Sequence, residues 1–181
     1  GEHEFDAGDF WVDPATLKAQ ARRTRPDPTD VERAAAMLAK AERPLVLVGG
    51  ARWSAEACHA LRQFAEATGL PVACGFRSQD LFDNRHPQYA GDVGIGINPA
   101  LAKRVRDADL LLVIGERLGE MTTGGYTLLD VPVARQSLVH VHPSPDELGH
   151  VYQPDLAIAA EPGAFLAAMN TVAPTRRQEW A

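Results

Sequence analysis

The chain has 181 residues, 45% of them hydrophobic and 23% charged, which is the length and make-up of one folded domain and excludes an intrinsically disordered segment. Its net charge of −6 excludes the electrostatic footprint of a nucleic-acid or anionic-membrane binder, so neither is a predicted partner. No apolar run approaches the ~18–20 residues of a spanning helix, and Gly1-Glu2-His3-Glu4-Phe5 has neither the basic nor the apolar region of a signal peptide.

Two cysteines, Cys58 and Cys74, are too few for a disulfide scaffold. They are predicted to be buried free thiols, which suits a reducing cytoplasm. The chain opens on Gly1 and not on methionine, as expected of a piece of something longer.

Residues 1–28 read as a linker or arm, with the aromatic patch Asp9-Phe10-Trp11-Val12 and the charged, proline-broken Arg22-Arg23-Thr24-Arg25-Pro26-Asp27-Pro28. Thr29-Asp30-Val31-Glu32 has capping-box spacing, with Thr29 as the expected N-cap. Val31, Ala34, Ala35, Leu38 and Ala39 then recur at helical spacing until Pro44. Leu45 to Val48 is a strand-length apolar run ended by Gly49-Gly50. Ser54 caps a predicted helix with Ala57, Leu61, Phe64 and Ala65 on its apolar face, and Gly69 sits where a C-terminal glycine belongs. Pro71 to Cys74 reads as a second strand, closed by Gly75, and residues 76–96 as a long glycine-bearing connection. Asn98-Pro99 starts a helix running to about Arg106.

Asp109 is the expected turn residue before the strongest strand signal, Leu110-Leu111-Leu112-Val113-Ile114. Each such residue is worth roughly 1.5–3 kcal/mol when buried, so the strand is predicted to be covered on both faces, as in a parallel sheet between helices. A second long connection, 116–136, leads to a strand at 137–142, a short helix at 145–150, a strand at 155–160 and a closing helix at 162–172. This alternation predicts an α/β fold: a doubly wound, Rossmann-like three-layer α/β/α parallel sheet of five to six strands. Residues 29–173 form the predicted domain and 174–181 a C-terminal linker.

In such a sheet, ligands sit beyond the carboxyl ends of the strands, near the switch in strand order. The glycines gather there: Gly49 and Gly50, Gly75, Gly115, then Gly124-Gly125. They either let a phosphate approach the backbone, with Gly49-Gly50-Ala51 leading into a helix N-terminus, or simply make strand–helix turns. Glu116-Arg117 either meets a ribose or phosphate or forms a solvated salt bridge. His140 and His142 share one strand face, as in some metal sites, but no third ligand is evident. Contact with a nucleotide or a neighbouring domain is the preferred role for His142. No Ser lies in a G-x-S-x-G elbow, neither Cys has a readable electropositive setting, and no catalytic residue is predicted.

Five blocks in order carry a resemblance: Arg43-Pro-Leu-Val-Leu-Val-Gly-Gly50, Thr68-Gly-Leu-Pro-Val72, His86-Pro-Gln-Tyr-Ala-Gly91, Ala108-Asp-Leu-Leu-Leu-Val-Ile-Gly-Glu-Arg-Leu118 and Leu138-Val-His-Val-His-Pro-Ser-Pro-Asp-Glu-Leu-Gly149. From about residue 30 to 170 the chain resembles the central domain of thiamine diphosphate-dependent enzymes of the acetolactate synthase, glyoxylate carboligase and benzoylformate decarboxylase group. The resemblance implies a six-stranded sheet of the DHS-like NAD/FAD-binding type, lying between N- and C-terminal domains that hold thiamine diphosphate and Mg²⁺. Those two domains would be its partners, in a cytoplasmic homodimer or homotetramer acting on a 2-keto acid as a lyase or a ligating transferase. This domain would then contribute scaffold and no catalytic group.

In related enzymes the central domain holds FAD, ADP or nothing. By resemblance the nucleotide-facing positions are Gly49, Gly50, Ala51, Gly75, Gly115, Glu116, Arg117, His142 and Ser144. The family's third glycine is Ala51 here, its Asp-x-Asp is His142-Pro143-Ser144, and the flavin-binding Asp-Arg is matched by Glu120-Met121. These departures speak against FAD. Gly91-Asp92-Val93 lacks the second glycine and the Asn pair of the family's Mg²⁺ motif. The alternative reading is a stand-alone NAD- or FAD-binding module, sirtuin-like or electron-transfer flavoprotein-like.

Overall fold

The computed structural model describes residues 23–172 together with Asp13. The aromatic patch at 9–12, most of the predicted arm and the predicted C-terminal linker lie outside the described residues.

Helix α1 spans Pro28–Lys40, and its N-cap is Asp27, whose carboxylate accepts the Thr29 N–H at 2.8 Å. The expected cap at Thr29 is therefore two residues late. Pro28 has no N–H to leave unsatisfied and a φ already suited to a helix, so the first turn closes around it. Strand β1 (Pro44–Val48) and helix α2 (Ala55–Thr68) follow. Ser54 caps α2 by accepting the Ala57 N–H at 3.2 Å, and Gly69 ends it in the left-handed conformation, φ 70°. Strand β2 (Val72–Cys74) leads into the connection read as a loop from 76 to 96.

That connection holds a 3₁₀ turn at Gln79–Leu81 and an edge strand β3, Tyr89–Asp92. All four β3 residues are half-buried, and its pairing with β2 is irregular between Val72 and Ala73. A four-residue strand with a glycine inside, φ 115° at Gly91, has no alternation to read. Helix α3 (Pro99–Asp107), strand β4 (Leu110–Ile114) and strand β5 (Ser137–His142) come next. The short helix expected at 145–150 is a single 3₁₀ turn, Pro145–Glu147. Strand β6 (Leu156–Ala159) and helix α4 (Pro162–Val172) close the fold.

The six strands form one parallel sheet in the order β3-β2-β1-β4-β5-β6. This is the doubly wound order, with its switch point between β1 and β4. Alternate side chains of each strand enter different cores. On one face Val46, Val48, Leu112, Ile114 and Val141 pack against Leu38 of α1, Leu61 and Phe64 of α2 and Phe165 of α4. On the other, Leu45, Leu47, Leu111, Val113 and Leu138 meet Leu101 and Val105 of α3, Leu118 and Leu128 of the 116–136 connection, and Tyr152. At the amino end, the Asp109 carboxylate accepts the N–H groups of Glu42 and Arg43 at 2.7 and 2.9 Å. The predicted turn residue thus ties the exit of α1 to the start of β4.

Candidate functional site

The glycine-bearing ends of β1, β2 and β4 converge. Gly75 N–H donates to Val48 at 2.7 Å, Gly49 N–H to Ile114 at 3.2 Å and Gly115 N–H to Val141 at 2.8 Å, so each glycine continues the sheet by one residue. Gly50 and Gly115 then turn left-handed, with φ of 74° and 76°. The two turns lie against each other: a Cβ on Gly50 would collide with the Gly115 carbonyl, and one on Gly115 would come within 2.6 Å of the Gly49 carbonyl. Trp53 closes the flank, its indole N–H donating to the Gly49 carbonyl at 2.8 Å.

Glu116 fills the hollow between these ends. It is only 7% exposed. Its Oε1 accepts the Arg117 N–H at 3.0 Å and the Thr122 hydroxyl at 3.1 Å. The other oxygen, Oε2, stands over the ends of β1 and β2. A Cβ on Gly49 or on Gly75 would strike it, lying 3.0 and 2.9 Å from the carboxyl carbon. Burial pushes the Glu116 carboxyl above its ordinary value, against the lowering effect of its hydrogen bonds with the Arg117 amide, the Thr122 hydroxyl and the Leu118 amide. The expected solvated Glu116–Arg117 pair does not form. Arg117 is exposed and pairs with Glu147 at 3.1 Å, bridging the β4 loop to the turn after β5. A buried carboxylate beside the last residue of a strand and an arginine turned to solvent cannot meet.

His140 reaches the same loop from β5. Its Nε2 lies 2.8 Å from the Glu116 carbonyl oxygen, which only accepts, so Nε2 carries the proton. Its Nδ1 is buried without a hydrogen-bond partner, and burial lowers the ring's basicity. His140 is thus a neutral strut for the Glu116 backbone. At His142, Nδ1 accepts the Ser144 N–H at 3.1 Å, which makes a local turn of the two residues. The rings stand 6.2 Å apart. Among the described residues, no group of three or more His, Cys, Asp or Glu side chains is placed to hold a metal ion. Asp92 of the Gly91-Asp92-Val93 string accepts the Tyr89 hydroxyl at 2.5 Å.

The nine sequence-predicted positions therefore divide. Gly49, Gly50, Gly75, Gly115 and Glu116 form one packed cluster. Ala51 and Arg117 face solvent, and His142 with Ser144 lies at the end of β5. Thr122 and His140 complete the cluster and carried no signal for it in the sequence. Two open cavities, of about 530 and 1010 Å³, include none of the clustered residues. One lies around Cys58, Phe82 and His86, the other around Arg25, Arg52, Trp53 and Glu161. Cys58 and Cys74 are free thiols, and burial pushes Cys74 up to about 12. It is no nucleophile at neutral pH.

A family model described as thiamine pyrophosphate enzyme, central domain, matches residues 31–169. The chain belongs to the central-domain family of thiamine pyrophosphate enzymes. Its similarity to acetolactate synthase isozyme 2 large subunit of Escherichia coli K12 is 31% identity over 151 residues, 83% of this chain and 27% of that protein. Glyoxylate carboligase of Escherichia coli O157:H7 is 31% identical over 177 residues, 95% of this chain and 28% of that protein. Sulfoacetaldehyde acetyltransferase of Rhodobacter capsulatus is 34% identical over 143 residues, 78% of this chain and 24% of that protein. The chain spans about a quarter of the length of these curated relatives. The layered parallel sheet is the architecture of this central domain, and the cluster at its switch point is the part of it where a ligand would be sought. No helix among the described residues is long and apolar enough to cross a membrane.

Proposed function

We propose that this chain is the middle domain, residues 29–173 with linkers on either side, of a larger thiamine diphosphate-dependent enzyme that decarboxylates or ligates a 2-keto acid. The observation that carries this reading is the family match across 31–169, together with a chain that spans only a quarter of its relatives. On this reading thiamine diphosphate and Mg²⁺ are held by N- and C-terminal domains, and a homodimer or homotetramer assembles in the cytoplasm. The chemistry the cofactor supplies when bound is a carbon nucleophile toward the keto group.

The residues described here supply none of that. Glu116, the buried carboxyl that stands at the switch point, is spent on Thr122 and the Arg117 amide, and the histidine beside it holds a carbonyl. The role of this domain is therefore to hold the flanking domains at fixed separation on a rigid sheet.

The test has two arms. Thiamine diphosphate with Mg²⁺ should neither raise the melting temperature of the chain nor give turnover of any 2-keto acid in a panel. The coding sequence around this segment should contain upstream a glutamate able to activate the thiamine ring and downstream a Gly-Asp-Gly Mg²⁺ motif with its Asn pair, and its full product should release CO₂. Turnover by this chain alone, or flanks without those motifs, would overturn the reading. A flavin absorbance band in the purified chain would favour a stand-alone flavin module instead.

A further inference from the structure

We propose that the Glu116 carboxyl closes the dinucleotide crevice of this domain, so that the seat used by a ligand diphosphate in an open parallel sheet is occupied by the chain's own side chain. Three observations converge on it. The crevice at a switch point lies outside the carboxyl ends of the strands that flank it, here β1 and β4, and the carboxyl of Glu116, which follows β4, lies over the end of β1 and reaches on to that of β2. The two glycines that would let a phosphate approach, Gly49 and Gly75, are the two whose missing Cβ atoms make room for Oε2. Neither has a positive φ, so the carboxyl accounts for their lack of a side chain where backbone conformation does not. Finally, the donors a phosphate would seek are engaged: the Arg117 amide and the Thr122 hydroxyl both point at Oε1.

The group is held on both sides. Its main chain is pinned by His140 at 2.8 Å and its carboxyl by the Arg117 amide and the Thr122 hydroxyl, so turning it out of the seat breaks both of those hydrogen bonds. A diphosphate would also have to approach a carboxyl group in a place with little water to screen it. The domain thus selects against phosphate-bearing cofactors such as FAD and ADP, and the specificity rests on one side chain.

The experiment compares the chain with its E116A, E116Q and G49A variants. The wild-type chain should show no rise in melting temperature with millimolar ADP or FAD. E116A should melt lower and be restored by acetate, which replaces the deleted CH₂–COO⁻ group, more than by chloride at equal ionic strength. E116Q fills the same space and should remain unresponsive to acetate. A double-mutant cycle sharpens the assignment: the methyl of G49A should cost much less in the E116A background, where the carboxyl it strikes is gone. ADP or FAD binding to the wild-type chain would overturn the proposal, and this arm stands even if E116A does not fold. Equal responses of E116A to acetate and chloride, or strictly additive effects of G49A and E116A, would overturn it as well. Nucleotide binding by this chain and turnover by a larger enzyme are separate readouts, so failure of one leaves the other standing.

Discussion

From Leu110 to Ile114 every side chain is apolar and no more than 2% exposed, whereas the next residues along the same strand direction are Gly115, Glu116 and Arg117. The strand interior is held by non-directional burial, at roughly 25 cal/mol per Å² of apolar surface. The rim that follows is held by a few directed contacts: two left-handed glycines back to back, a buried carboxyl with two donors, and one histidine on a carbonyl. Apolar packing tolerates shape changes but no charge. The rim tolerates a buried carboxyl, and a methyl added at Gly49 or Gly75 would force that carboxyl to move. The difference also separates the two regions by their sensitivity to pH, since Leu110 to Ile114 carry no titratable group and the rim holds Glu116 with His140 against its carbonyl.

Breaking the interior should have the largest effect. Leu112 is fully buried at the centre of the central strand, with a parallel neighbour on each side. Leu112→Asp should leave no cooperative thermal transition by far-UV circular dichroism, at any pH above the carboxylate range. A soluble, cooperatively melting Leu112→Asp chain would mean that this strand is not covered on both faces.

At the rim, Gly50→Ala should be the most damaging small change. It forces a left-handed φ of 74° on alanine and drives a methyl into the Gly115 carbonyl. Strain of this kind costs on the order of 1–3 kcal/mol before the collision is counted. Urea titration should show the midpoint falling with an unchanged slope.

The pH dependence distinguishes the regions directly. Burial holds the folded-state value of Glu116 above the ordinary 4.5, so the folded chain binds this proton more tightly than the unfolded chain. Its contribution is present in full below about 4.5 and is lost as pH rises through the raised folded value. His140 is shifted the opposite way, below 6.5, by burial. Its contribution is present above about 6.5 and is lost as pH falls through the lowered folded value. Unfolding free energy against pH should therefore lose its fall on the rising-pH side in Glu116→Gln and part of its fall on the acid side in His140→Gln. An unchanged profile in both variants would remove the rim from the stability balance.

The smallest expected effect lies outside the comparison and calibrates it. Ser54→Ala removes the oxygen that accepts the Ala57 N–H at the start of α2 and should cost about 1 kcal/mol. That cost should not vary with pH between 5 and 8, because the Glu56 carboxyl, which the Ser54 hydroxyl holds below its ordinary value, stays ionised throughout that range.

Much of the fold was legible because it rests on local chemistry. Ser54, the Asn98-Pro99 pair and Gly69 mark helix ends by groups that accept a nearby N–H or adopt a left-handed turn, and each stands where it was expected. Strand β4 was legible from its run of apolar side chains, and α4 was placed at its full extent, 162–172. Strand β3 was not, because its pairing depends on the edge offered by β2 and not on its own residues. The helix start at Asp27 was missed because the capping-box spacing of Thr29 and Glu32 was followed, whereas Pro28 fits the first helical position and leaves the cap to Asp27.

The candidate site was legible by address and not by content. Alternating apolar runs and glycine-ended strands were enough to require a layered parallel sheet with a glycine rim at the carboxyl ends, because buried runs of that length must be covered on both faces. What fills the rim is a matter of contact among residues 49, 75, 116, 122 and 140, which lie on segments far apart in the chain. Strand order brings Gly49 and Gly75 to either side of one carboxyl and sets His140 under its backbone. That order arises from the packing of the whole sheet, and so only the tertiary structure could turn five scattered residues into a closed seat.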